Sequence, residues 1–157
     1  MKIAVIGAGN LGGAIIKGLC KGTKVASSEI FAANPSSAKL EKLAAECPGL
    51  NIFNNNAEAA AKADLIILAV KPWKLKEVID DLKPVMDYSR QAVASVAGGV
   101  GLGDLSALLD KGDGQTLPIY YIIPNTAASV GESMTFISSA NASAALDRGE
   151  VSRCESI

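Results

Sequence analysis

The chain has 157 residues, enough for one domain that buries about two-thirds of its unfolded surface, and with 49% hydrophobic and 20% charged residues it is a globular rather than a disordered sequence. Its 15 Lys and Arg against 16 Asp and Glu leave a net charge of -1 with no basic stripe to neutralise a run of phosphates, which excludes nucleic acid as the main partner. It has no histidine, so His-dependent nucleophile triads and His-ligated zinc are excluded; its three cysteines lie far apart without a C-x-x-C pair, so the sequence predicts no metal site and a reduced, cytoplasmic location.

Short aliphatic runs alternate with stretches of helical period. Residues 3–6 predict a strand buried on both faces, too short for a secretory segment and running straight into glycines. A helix follows over residues 10–21, where Leu11, Ile15 and Leu19 recur every four residues. Residues 30–33 predict the second strand. Ser36 or Ser37 then caps a helix that runs to Glu46 and stops at Pro48 and Gly49. A weak strand over 51–53 precedes a short helix over 57–63, with Asn56 as its expected cap. Residues 65–70 predict the next strand, and this longest apolar run is far short of a membrane span. A helix over 75–86 with Pro84 near its end, a strand over 92–96, a helix over 102–109 and a strand over 119–123 complete the alternation. The pattern predicts an α/β fold with a doubly wound, mostly parallel sheet. Residues 1–140 are expected to form one domain, and 141–157 the start of a helix leading to a further helical domain that the chain lacks.

The chemistry concentrates where strands meet turns. Gly7-Ala8-Gly9-Asn10-Leu11-Gly12 is a G-x-G-x-x-G directly after a predicted strand and at the start of a predicted helix, the setting this motif needs to bind a dinucleotide. Gly7 permits the tight turn, Gly9 lets a pyrophosphate approach the backbone, and Gly12 brings helix close to strand, as in a Rossmann-like domain. The end of the second strand reads Asn34-Pro35-Ser36-Ser37-Ala38-Lys39. No carboxylate stands there to repel a 2'-phosphate, while two hydroxyls, an amide and a lysine can surround one, so NADP is expected over NAD. Ala69-Val70-Lys71-Pro72 and Ser95-Val96-Ala97-Gly98-Gly99-Val100 end two further strands and should lie over the cofactor, the second with small residues that leave room for a ring.

Together these stretches resemble the N-terminal NADP-binding domain of pyrroline-5-carboxylate reductases. The resemblance rests on residues 6–12, Asn56-Ala57-Glu58, Ala69 to Pro72, Ser95 to Val100, and Ile123-Pro124-Asn125-Thr126 followed by Val130-Gly131-Glu132, in the family's order and over essentially the whole chain. It implies that Ile6, Gly7, Gly9, Asn10, Leu11 and Gly12 hold the pyrophosphate. Asn34 and Ser36 would lie near the 2'-phosphate, where the residues themselves add Ser37, and Asn56 on the adenosine side. Ala69, Val70, Lys71 and Pro72, with Val96, Ala97 and Gly98, would line the nicotinamide half, and Asn125 and Thr126 the substrate side.

The chain departs from the family at Ala127, where proline is usual, at Tyr121, where arginine is common, and at Ser133, where glycine is usual. These changes bear on the substrate rather than on the cofactor. The implied reaction is reduction of 1-pyrroline-5-carboxylate to proline with NADPH, on a small imino-acid substrate, in a homo-oligomer formed through the helical domain. No catalytic acid can be named. The alternatives are another NADP-dependent imine or 3-hydroxy-acid oxidoreductase, one acting on a deazaflavin, and a non-catalytic NADP-binding module.

Overall fold

The structure is a computed structural model, and it describes residues 1–130 and 135–140. Gly131, Glu132, Ser133 and the helix expected over 141–157 lie outside the described residues. Strands β1 (Ile3–Ile6), β2 (Ile30–Ala33), β3 (Asn51–Phe53), β4 (Leu65–Leu68), β5 (Ala92–Ser95), β6 (Ile119–Ile123) and β7 (Phe136–Ala140) form one sheet in the order β3-β2-β1-β4-β5-β6-β7. All neighbours are parallel except β6 and β7.

Every residue of β1, β2, β4 and β5 is buried, which is why these strands read as continuous aliphatic runs rather than alternating ones. Successive side chains serve two different cores. Ile3 and Val5 of β1, with Leu65 and Ile67 of β4, pack with Ile16 of α1 (Asn10–Lys21) and with Leu40 and Leu43 of α2 (Ser37–Glu46). Ala4, Ile6, Ile66 and Leu68 point the other way, against α3 (Asn56–Ala61), α4 (Leu75–Leu82) and α5 (Leu102–Leu109). The chain leaves β1 toward one face and β4 toward the other. Their carboxyl ends therefore open a crevice at the point where the strand order reverses, the place where open α/β sheets bind ligands.

Several boundaries differ from the sequence expectation. Strand β4 ends at Leu68, two residues early, although the Ala69 amide still donates to the Ile6 oxygen of β1 at 2.8 Å. The helix expected over 75–86 stops at Leu82 and continues as a 3-10 turn over Lys83–Val85, where Pro84 supplies no amide to extend the α ladder. The cap of α3 is Asn55 and not Asn56: its Oδ1 accepts from the amides of Ala57 at 2.8 Å and Glu58 at 3.2 Å. Strand β7 was not predicted at all. It is an edge strand with two serines and an exposed Ile137, so it lacks the buried periodicity that marks the others.

Candidate functional site

The first turn at the sheet's carboxyl edge is built by three glycines with three different duties. Gly7 sits at φ +101, and a Cβ on it would lie 2.7 Å from the Ala69 carbonyl oxygen of the neighbouring strand end. Its amide donates to the Ala33 oxygen at 2.8 Å, which pins the turn to β2. Gly12 lies under the turn. A Cβ there would stand 1.9 Å from the Gly7 oxygen and 3.1 Å from the Ala69 Cβ, so only glycine lets α1 start this close to the strand. Gly9 differs from both: its φ is an ordinary -75, and nothing lies within 4 Å of where its Cβ would be. The absence of a side chain at Gly9 therefore serves the space in front of it and not the fold.

That space faces the start of α1. No side chain caps this helix and no acidic residue lies in its first turn. The first amides of a helix have no acceptor within it, and with the helix dipole they favour an anion by about 0.3–1 kcal/mol per charge. The arrangement fits a dinucleotide pyrophosphate, with Gly9, Asn10 and Leu11 contributing backbone. Ile6 is fully buried and Leu11 packs on the α1 core, so their side chains are structural.

Asn34, expected beside a 2'-phosphate, takes a bracing position. Its Oδ1 accepts from the Ala8 amide at 3.1 Å, and its Nδ2 donates to the Ser36 oxygen at 3.4 Å, so it ties the glycine turn to the β2–α2 turn. Asn54 completes that brace, donating from Nδ2 to the Asn34 oxygen at 3.2 Å and to the Ser37 Oγ at 3.1 Å. Sequence reasoning missed Asn54, although the run Asn54-Asn55-Asn56 after a short strand was the available signal. Ser36 stands exposed at the cap position of α2 without making a side-chain cap bond, and Lys39 in the first turn of that helix is exposed too. Asn56 opens α3, half-buried, at the outer end of the sheet.

A cleft of about 380 Å³ borders the glycine turn. Gly9, Asn10 and Lys17 line it from α1, Lys39 and Lys42 from α2, and Thr126 from the turn after β6. Three lysines face it with one carboxylate, Glu46, which Lys17 holds at 2.6 Å and keeps below the usual glutamate range. The cleft is therefore positive overall. A larger depression of about 540 Å³, lined by Tyr88, Leu109, Leu117 and Ile119, lies at the amino end of β6. Size favours it, but ligands of parallel sheets sit at the other end, and the positive charge lies there too.

On the other side of the glycine turn, the Ala69 amide donates to the Ile6 oxygen at 2.8 Å, so the Ala69-Val70 turn is fixed against β1. Pro72 begins a 3-10 turn over Pro72–Lys74. Lys71 stands 5.9 Å from the ring centroid of Trp73, which is 75% exposed at the rim and which the sequence reading did not single out. Val96 and Ala97 are buried while Gly98 is exposed, with open space where its Cβ would be, so the end of β5 presents bare backbone. Asn125 and Thr126 begin a turn that rests on α1. Gly18 admits it, since a Cβ there would lie 2.1 Å from the Ala128 oxygen, and Lys21 Nζ donates to the Ser129 oxygen at 3.0 Å. All the sequence-predicted residues thus lie along the carboxyl edge or the turns beside it. Among the described residues no group of three or more acidic or cysteine side chains could hold a metal, and no helix is long and apolar enough to cross a membrane.

Comparison with known proteins agrees with the fold. Residues 2–99 match the family model described as NADP oxidoreductase, coenzyme F420-dependent. A pyrroline-5-carboxylate reductase of Pseudomonas aeruginosa is 36% identical over 127 residues, covering 81% of this chain and 44% of the relative. Among solved structures, a pyrroline-5-carboxylate reductase from Coxiella burnetii is 30% identical with a TM-score of 0.79, covering 89% of this chain and 50% of that one. The Plasmodium falciparum pyrroline carboxylate reductase with NADP bound is 26% identical with a TM-score of 0.76, covering 90% of this chain and 48% of that one. The chain spans about half the length of the relatives it matches. With its doubly wound sheet and uncapped glycine turn, it belongs to the nicotinamide-nucleotide oxidoreductase family that the model describes, and it resembles the N-terminal half of pyrroline-5-carboxylate reductases.

Proposed function

We propose that the chain is the NADP-binding half of a reductase that converts 1-pyrroline-5-carboxylate to proline. The observation that carries the reading is the open space at Gly9 in front of the uncapped α1. The pyrophosphate would rest on the α1 amides, and NADPH, when bound, supplies hydride for the C=N carbon. The chain's own part is to orient. The Ala69 turn and the bare backbone at Gly98 would flank the nicotinamide half, and the Asn125 turn would border the substrate side. No side chain of the described residues is assigned as proton donor. The second half that such reductases possess would complete the substrate pocket and form the oligomer.

NADP is preferred to NAD because the β2 end carries no carboxylate and the adjoining α2 presents Lys39 and Lys42. With Asn34 and Ser37 occupied by the brace, Ser36 and Lys39 are the groups left to meet a 2'-phosphate. Titration of the chain with NADPH and NADH tests this. NADPH is expected to bind at least tenfold more tightly, and Lys39→Gln to weaken NADPH by about tenfold, the weight of one charge-assisted contact, while leaving NADH unchanged. Equal affinities, or an equal loss for both nucleotides, would contradict the assignment.

One observation favours a different substrate. The Ala127 amide donates to the Asn125 Oδ1 at 2.9 Å, a bond that proline at this position could not make. The Asn125 side chain is therefore turned back onto its own turn. A panel of imines and 3-hydroxy acids, assayed with this chain joined to the second half of the Pseudomonas reductase, separates the readings. Turnover confined to 1-pyrroline-5-carboxylate supports the first, and turnover of another compound alone the second.

A further inference from the structure

We propose that Asn54 is the positioning residue that sets the preference for NADPH over NADH, acting through the β2–α2 turn and not by touching the nucleotide. The inference rests on the NADP reading above and deepens it. Asn54 directly follows the last residue of β3, so its backbone is carried by the sheet, and its side chain is exposed. Both hydrogens of its amide go into one turn. Nδ2 donates to the Asn34 oxygen at 3.2 Å on the near side of that turn and to the Ser37 Oγ at 3.1 Å on the far side. One side chain thus spans Pro35 and Ser36 and ties the end of β2 to the first residue of α2.

The spanned stretch has weak ties of its own. Pro35 has no amide to donate. The Ser36 oxygen accepts from the Asn34 Nδ2 and from the Leu40 amide, both at a long 3.4 Å, and the Ser36 side chain makes no cap bond. Ahead of the turn, the Asn34 amide donates to the Phe53 oxygen at 3.1 Å, and the Asn34 Oδ1 accepts from the Ala8 amide of the glycine turn at 3.1 Å. Asn54 therefore fixes, through Asn34 and Ser37, the place of Ser36 and of the helix start that carries Lys39. These are the groups left to meet a 2'-phosphate. NADH carries a hydroxyl where NADPH carries that phosphate, so a turn released from Asn54 loses charge-assisted contacts to NADPH and little to NADH.

The test titrates the full chain and two variants with NADPH and with NADH. Asn54→Ala is expected to weaken NADPH about tenfold and NADH no more than about twofold, with the thermal midpoint within about 2 °C of the parent because only exposed hydrogen bonds are lost. Asn54→Asp keeps the shape and the Oδ1 but gives up both donors, and it should lose the preference at least as fully. In both variants, free of nucleotide, the Ala8 amide should exchange with solvent about fivefold faster, since its acceptor Asn34 is no longer held. A preference for NADPH that survives Asn54→Ala, an Asn54→Asp variant that binds like the parent, an Ala8 amide exchanging at the parent rate, or an equal loss for both nucleotides would each overturn the proposal. A parent chain that binds both nucleotides equally would overturn the NADP reading and this inference with it. A parent that prefers NADPH upholds that reading whatever the Asn54 variants do.

Discussion

Gly9→Val is expected to reduce NADPH affinity by about 100-fold or more while leaving the fold intact. The two effects separate because of where Gly9 points. Its φ of -75 suits any residue and nothing lies within 4 Å of its Cβ position, so a side chain starts into open space, and a change of stability within about 0.5 kcal/mol is expected. The same valine fills the volume in which a pyrophosphate must approach the α1 amides. Forcing the anion off two such donors costs roughly 3 kcal/mol, which is about two decades in affinity. Trp73, the single tryptophan, lies at the rim of the site, so energy transfer from its indole to bound NADPH reports binding directly. Undiminished transfer in the variant, with an unchanged melting curve, would show that the glycine turn has another role.

Gly12→Ala is expected to act through the opposite link, on stability first. The added carbon would stand 1.9 Å from the Gly7 oxygen, a backbone atom held by a turn that Ala33 and Ala69 both constrain. No rotamer relieves such a contact. Helix α1 must lift from the junction of β1 and β4, loosening Ile16 from Ile3 and Val5. A loss of about 3 kcal/mol follows from overpacking at a site that cannot yield, read as a fall of roughly 6–12 °C in thermal midpoint. Nucleotide binding should weaken with it, because the α1 amides move. A variant as stable as the parent would show that α1 does not start where the structure puts it.

These contrasting expectations for two glycines of one motif show what was legible in the sequence. The strand–glycine–helix context identified the crossover, and the buried strands announced themselves as aliphatic runs because both faces of the sheet are covered. The division of labour among the glycines was legible too, since it follows from the motif. What stayed hidden depends on side chains meeting across distant segments. Asn34 read as a phosphate ligand because its position, not its partner, was visible; only the fold shows its Oδ1 taken by the Ala8 amide. Asn54 and Asn55 were indistinguishable from Asn56 until the α3 cap was placed. Lys17 and Lys42 join Lys39 around the cleft only because α1 and α2 pack side by side. Strand β7 escaped for another reason: half polar and at the sheet edge, it has no periodicity to betray it.

Nucleotide binding is expected at the carboxyl edge of β1 and β4. Amide chemical shifts of the isotope-labelled chain, followed as NADPH is added, measure that placement directly. The expected result is saturable change concentrated at Ala8 to Gly13, the Ser36 turn, the Ala69 to Lys71 turn and Gly98. Shifts confined to Ser106, Gln115 and Leu117 around the larger depression, or no saturable shifts at all, would contradict it.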